Sequence, residues 1–189
     1  MFTQKPKEVT PAHQRHISKV AVLGSGVMGS RIACHFANIG LEVLLLDIVP
    51  FDIKEEDKAK KAKRNSIVDA ALKATLKSNP SPIYDNKFVS RITTGNFDDD
   101  LAKIKDCDWV IEVVIERLDI KQQLFEKVEK YRTPGTLITS NTSGIPIQFM
   151  SEGRSEDFQQ HFCGTHFFNP ARYLKLFEII PGPKTSQEV

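Results

Sequence analysis

Residues 21–29 read AVLGSGVMG, an apolar run that breaks into three glycines, Gly24, Gly26 and Gly29. A bare GxGxxG is weak evidence, because glycines collect at turns for many reasons. Here the glycines follow a strand-like run, KVAVLG (19–24), and open a helical pattern, VMGSRIACHFANIG (27–40). In that setting the backbone N–H groups at the helix start, around Val27 and Met28, face a dinucleotide pyrophosphate. Gly24 makes the tight turn, Gly26 lets backbone approach the phosphates, and Gly29 lets helix and strand pack closely. A second apolar run, EVLLLD, ends on Asp47, roughly the 20 residues downstream at which an acid meets the ribose hydroxyls of the adenosine half. A carboxylate there repels a 2′-phosphate and no arginine follows it directly, so the loop favours NAD over NADP. No GK[ST] follows the glycines and no YxxxK occurs, which sets aside a P-loop and the short-chain dehydrogenase pattern.

The rest of the chain is compatible with that reading. Its 189 residues suit one well-buried domain, and 40% hydrophobic with 26% charged residues excludes a disordered or fibrous class. A formal charge of +2 points to no particular partner. No apolar stretch reaches the roughly 20 residues of a membrane span. Cys34, Cys107 and Cys163 are odd in number and widely spaced, so neither a disulfide framework nor a metal site is expected, and a reducing, cytoplasmic compartment is the default. Residues 1–17 read as a flexible tail without signal-peptide or transit-peptide character.

Beyond Asp47, the segment from Pro50 to Pro82 starts strongly charged, gains apolar spacing from Ile67 to Leu76, and reads as one long, partly projecting helix. FVSRITTG (88–95), WVIEVVIE (109–116), TLITSN (136–141), FCGTHFF (162–168) and KLFEII (175–180) are strand candidates. DIKQQLFEKVEKYR (119–132) is a helix with Asp119 and Gln122 at capping-box spacing. Alternating strands and helices predict an α/β fold, Rossmann-type and doubly wound: a mostly parallel sheet with a helical extension after the second strand, over residues 18–189.

At ERLDIK (116–121), SNTSGIPI (140–147), CGTHFFNP (163–170) and KLFEIIPG (175–182) the chain resembles the NAD-binding domain of the L-3-hydroxyacyl-CoA dehydrogenases of fatty-acid β-oxidation. The resemblance implies NAD-dependent oxidation of (S)-3-hydroxyacyl-CoA to 3-ketoacyl-CoA. It also implies that this chain is the cofactor part of a longer enzyme, which has a C-terminal helical domain that forms a homodimer and supplies a further asparagine. By resemblance His166 and Glu178 are the catalytic pair, Ser143 and Asn141 line the site, and Glu116 and Lys121 contact cofactor or substrate.

The residues carry part of this on their own chemistry. A lone histidine in an apolar strand is more often a core residue, but Glu178 interrupts LFEII, where a buried carboxylate needs a partner. If 166–178 folds back as a hairpin centred on Arg172, the two residues face each other with Cβ atoms about 5 Å apart. Glu178 then fixes the imidazole tautomer, and the other ring nitrogen takes the proton of a substrate hydroxyl. Ser143 lacks a GxSxG elbow and is expected to bond the substrate oxygen. The chain departs from the family in having Gly144 after Ser143, and in a slightly long EGRSEDFQQH (152–161) expected on the surface. The basic stretch with Lys54, Lys58, Lys60, Lys61, Lys63 and Arg64 has no interleaved aromatics, so no nucleic-acid role is expected; its default is a solvated face, and the resemblance adds a use against the anionic acyl-CoA. The competing readings are a dehydrogenase of another hydroxy acid and a non-catalytic NAD-binding module.

Overall fold

The computed structural model describes residues 15–189. Seven strands, β1 (Lys19–Leu23), β2 (Glu42–Asp47), β3 (Ile92–Asn96), β4 (Trp109–Glu112), β5 (Leu137–Ser140), β6 (Phe162–Phe167) and β7 (Phe177–Pro181), form one sheet in the order β3-β2-β1-β4-β5-β6-β7. All neighbours pair in parallel except β6 and β7, which are antiparallel. The helices are α1 (Val27–Asn38), α2 (Lys61–Arg64), α3 (Ser66–Leu76), α4 (Phe97–Asp100), α5 (Leu118–Tyr131), α6 (Ile147–Ser151) and α7 (Glu156–Gln160). The chain winds outward from β1 to β3, then returns to β4 on the other side of β1. That reversal opens a crevice outside the carboxyl ends of β1 and β4.

The period-2 alternation of β1 sorts the core. Val20 and Val22 pack with Ile32, Phe36 and Val68 on the α1/α3 face, while Ala21 and Leu23 pack with Phe125, Phe158 and Phe162 on the α5 face. Phe125 lies edge-on to Phe162 at 5.1 Å and is fully buried. Burying a side chain of that size contributes roughly 1.5–3 kcal/mol.

Three expectations are corrected. The segment after β2 is not one long helix: a 3₁₀ turn at Glu55–Asp57, α2 and α3 follow in succession, with a break at Asn65. Asn65 is buried, and its side-chain oxygen accepts from Asn96 Nδ2 at 2.7 Å, so a tertiary polar contact outweighs the helical spacing. Arg64 is drawn the same way, donating to both carboxylate oxygens of Asp99. The capping box is absent. Helix α5 starts at Leu118 without a side-chain cap, Asp119 pairs with Arg117, and Gln122 donates to the Phe149 carbonyl at 2.8 Å. The 152–161 stretch is not wholly superficial, since α7 places Phe158 fully inside the core.

Most of the tail expected over 1–17 lies outside the described residues. Of its last three, Arg15 donates to the Gly135 carbonyl at 2.8 Å and Ile17 packs against the α1-side core. Among the described residues no helix is long and apolar enough to cross a membrane, and no cluster of potential metal ligands occurs.

Candidate functional site

The glycine loop lies at the mouth of the crevice. Gly24 adopts φ +108°, its N–H donates to Leu46 O at 2.8 Å, and an added Cβ would come within 2.6 Å of Val113 O. An added Cβ on Gly29 would lie 1.8 Å from Gly24 O, whereas one on Gly26 would meet nothing within 4 Å. The loop is therefore tight on its protein side at 24 and 29 and open at 26. Helix α1 begins at Val27 with no side-chain cap and no acid in its first turn, and Val27 is exposed. Its first N–H groups and the helix dipole are thus presented to an anion, and these residues fit a dinucleotide pyrophosphate.

Asp47, half-buried at the end of β2, is turned into the loop. Its Oδ2 accepts from Ser25 N at 2.6 Å and from the Ser25 hydroxyl, and its Oδ1 accepts from Ile48 N at 2.7 Å. One acceptor position remains on Oδ1 for a ribose hydroxyl.

At the ends of β4 and β5 a denser network appears. Glu112, the last residue of β4, is completely buried. Its carboxylate accepts from Lys121 Nζ at 2.7 and 2.8 Å, from Val114 N at 2.7 Å and from the Ser140 hydroxyl. Burial raises the Glu112 carboxyl above its ordinary range, against the nearby Lys121 charge and these hydrogen bonds. Lys121, only 1% exposed, also reaches Glu116 Oε2 at 3.2 Å. Glu116 Oε1 in turn accepts from the Thr142 hydroxyl, from Ser143 N at 3.1 Å and from Gly144 N at 3.0 Å.

Burial works against ionisation of Glu116, but the bonds from Thr142 and Gly144 and the Lys121 charge outweigh it and hold the carboxyl at about 2. A folded value below the ordinary 4.5 means that this group's contribution to stability is complete above about 4.5 and is lost as pH falls towards about 2. Urea midpoints followed down that range should therefore fall more steeply for the native protein than for Glu116→Gln. Parallel curves would show that the carboxylate is not coupled to folding.

The hairpin closes as its spacing predicts. His166 stands opposite Glu178, and His166 Nδ1 lies 2.8 Å from Glu178 Oε2. A carboxylate can only accept, so Nδ1 carries the hydrogen, and in the neutral ring Nε2 is the free acceptor. The reason given for the pair is corrected: Glu178 is not buried. Strand β7 is an exposed edge strand and the Glu178 side chain is 48% exposed, against 20% for His166. Asn141 Oδ1 accepts from Phe167 N at 2.8 Å, which ties the 141–144 loop to the strand that carries His166. Ser143 is exposed, two residues along that loop.

The structure thus brings the glycine loop, Asp47, Glu116, Asn141, Ser143 and His166 to one edge of the sheet, while Lys121 points into the protein. Glu112 was missed by sequence reasoning. Its signal was the one that picked out Glu178, an acid inside an apolar strand.

A doubly wound sheet with an open glycine loop and a carboxylate at the end of β2 defines an NAD-binding domain of the dehydrogenase type. Residues 19–189 match the family described as 3-hydroxyacyl-CoA dehydrogenase, NAD binding domain, and the chain belongs to it. It is 55% identical over 181 residues to a probable 3-hydroxyacyl-CoA dehydrogenase of Bacillus subtilis, covering 93% of this chain and 23% of that protein. A protein of the same description from Deinococcus radiodurans is 50% identical, with 92% and 48% covered. Among solved structures, 3-hydroxybutyryl-CoA dehydrogenase from Escherichia coli K12 superposes with a TM-score of 0.67 at 30% identity, over 92% of this chain and 34% of that one. The chain spans between about a quarter and a half of the length of these two curated relatives.

Proposed function

We propose that the chain is the cofactor-binding part of an NAD-dependent 3-hydroxyacyl-CoA dehydrogenase that oxidises (S)-3-hydroxyacyl-CoA to 3-ketoacyl-CoA in fatty-acid β-oxidation. The observation that carries the reading is the His166–Glu178 pair at 2.8 Å on the edge of the sheet where the glycine loop opens. A module that only binds NAD has no use for a base held in a fixed tautomer there.

In this reading His166 Nε2 accepts the proton of the substrate hydroxyl, and Glu178 steadies the imidazolium that results. Ser143 bonds the substrate oxygen. Bound NAD supplies the hydride acceptor. The first turn of α1 and residues Gly24–Gly29 hold the pyrophosphate, Asp47 a ribose, and Glu116, Lys121 and Asn141 border the cofactor. The exposed lysines at 54, 58, 60, 61 and 63 offer positive charge to an acyl-CoA; Lys58 and Lys60 also pair with Glu55 and Asp57. Domain limits of 1–17 and 18–189, a homodimer made through a helical domain, and a cytoplasmic setting belong to the same proposal. Three buried free cysteines suit a reducing compartment.

A fluorescence titration of the 189-residue chain with NADH and NADPH tests the cofactor half, and turnover of 3-hydroxybutyryl-CoA by the full-length protein tests the rest. We expect saturable NADH binding with at least about tenfold weaker NADPH, about 1.4 kcal/mol of discrimination. Equal affinity for the two would remove Asp47 from its role, and NADH binding without turnover would reduce the chain to a binding module.

A further inference from the structure

Between Gly24 and Gly26 the loop carries a single side chain, that of Ser25, and the residue is 1% exposed. Its hydroxyl and its N–H both donate to Asp47 Oδ2, the N–H at 2.6 Å. Its carbonyl accepts from the hydroxyl of Ser30, in the first turn of α1, at 2.6 Å. With the Gly24 N–H on Leu46 O, these bonds stitch the end of β2 to the loop and the loop to the helix.

A backbone bond fixes where the loop runs but leaves a carboxylate free to turn, since the χ2 torsion of an aspartate is broad. Asp47 is held more firmly than that. Among the described residues three donors reach it, the Ser25 N–H and hydroxyl on Oδ2 and the Ile48 N–H on Oδ1 at 2.7 Å. They fill three of about four acceptor positions and set the plane of the group. Two of the three donors are main-chain amides that almost any sequence would supply. The Ser25 hydroxyl is the one that a substitution can withdraw.

Resting on the NAD site proposed above, we propose that Ser25 is a positioning residue for cofactor choice. Its hydroxyl locks the Asp47 carboxylate in place, so that the charge cannot turn aside when a 2′-phosphate enters. Repulsion between like charges falls with distance, and a carboxylate able to swing away relaxes the discrimination. The buried hydroxyl acts through Asp47. Serine and alanine at this position thus give the same fold and a different preference.

The test is Ser25→Ala in the full-length protein, titrated with NADH and with NADPH. The ratio of the NADPH to the NADH dissociation constant, at least about tenfold in the native protein, should fall at least about threefold, chiefly through tighter NADPH binding, while NADH affinity moves less than about twofold. Tm should stay within about 5 °C of the native value, because the carboxylate keeps both main-chain donors. Asp47→Asn removes the charge itself, so adding Ser25→Ala to it should leave the ratio where Asp47→Asn put it, within about twofold. Should Ser25→Ala not fold, Ser25→Cys, close in shape but a weak donor, is read by the same titrations.

A ratio that does not move, whether both affinities hold or both weaken together, would overturn the proposal and leave the hydroxyl a part of the loop's shape alone. A further shift of the ratio on the Asp47→Asn background would do the same, by showing that Ser25 does not act through the carboxylate. The cofactor reading is judged on the native protein. If that binds neither cofactor, or both alike, the NAD site fails and the lock falls with it; discrimination by the native protein with an unmoved variant rejects the lock alone.

Discussion

Replacing His166 with alanine in the full-length protein is expected to reduce kcat by about 10²- to 10⁴-fold, the usual contribution of a positioned general base. That is about 3–5 kcal/mol of barrier. The side chain is only partly buried and its ring nitrogen bonds an edge-strand carboxylate, so truncation leaves no core cavity and no buried unpaired charge. The NADH dissociation constant should therefore stay within a factor of about two, because the glycine loop and Asp47 lie on other strands. The pairing of turnover with an NADH titration is what gives the result its meaning. If affinity collapses with rate, His166 is part of the cofactor cradle and the assignment of the base is wrong.

The second large effect comes from two glycines that look alike in sequence and differ in space. In Gly29→Ala the new methyl would sit 1.8 Å from Gly24 O. Gly24 is held by its bond to Leu46 O at 2.8 Å, and Val113 Cβ stands 3.6 Å from the same added methyl. Overpacking of this kind typically costs about 1–3 kcal/mol, a fall in Tm of several degrees for a domain of this size. NADH binding should be lost as well. Gly26→Ala meets nothing within 4 Å, so its Tm should stay near that of the native chain. Its methyl would fill the space into which the phosphates fit, and NADH affinity should drop at least about tenfold. Calorimetry and NADH titration of the two variants together check this, and a Gly26→Ala protein that binds NADH normally would place the pyrophosphate elsewhere.

How far the sequence could be read follows from which interactions are local. The loop, the alternation of strands with helices and the register that sets His166 against Glu178 all follow from spacing along one or two adjacent elements. The break at Asn65 does not, because the Asn96 amide that captures it comes from a strand 31 residues away. Glu178 was found for a reason that the structure rejects. The apolar run around it suggested burial, yet the strand lies at the sheet edge, and an apolar composition does not tell a central strand from an edge strand. Glu112 carried the same signal with the opposite outcome: it is the acid that is truly buried, and its partner Lys121 lies a helical turn and a loop further on. The resemblance placed Lys121 against the cofactor or substrate; in the structure its ammonium is shared between Glu112 and Glu116, a contact that no spacing along the chain announces.

The antiparallel step from β6 to β7 also governs which insertions and deletions this chain can absorb. Strands β1 to β6 are joined by crossovers, so a changed length there disturbs a helix together with two strands. The β6–β7 connection, residues 168–176, involves no crossover and is held to the domain by buried Ala171 and by Arg172 and Tyr173, which donate to Ser81 O. Sliding β7 by two residues would keep a side chain opposite His166 on the same face. Sliding it by one would turn Glu178 to the far side of the sheet and present Phe177 or Ile179 to the imidazole. A change of register across that hairpin is thus filtered by odd and even.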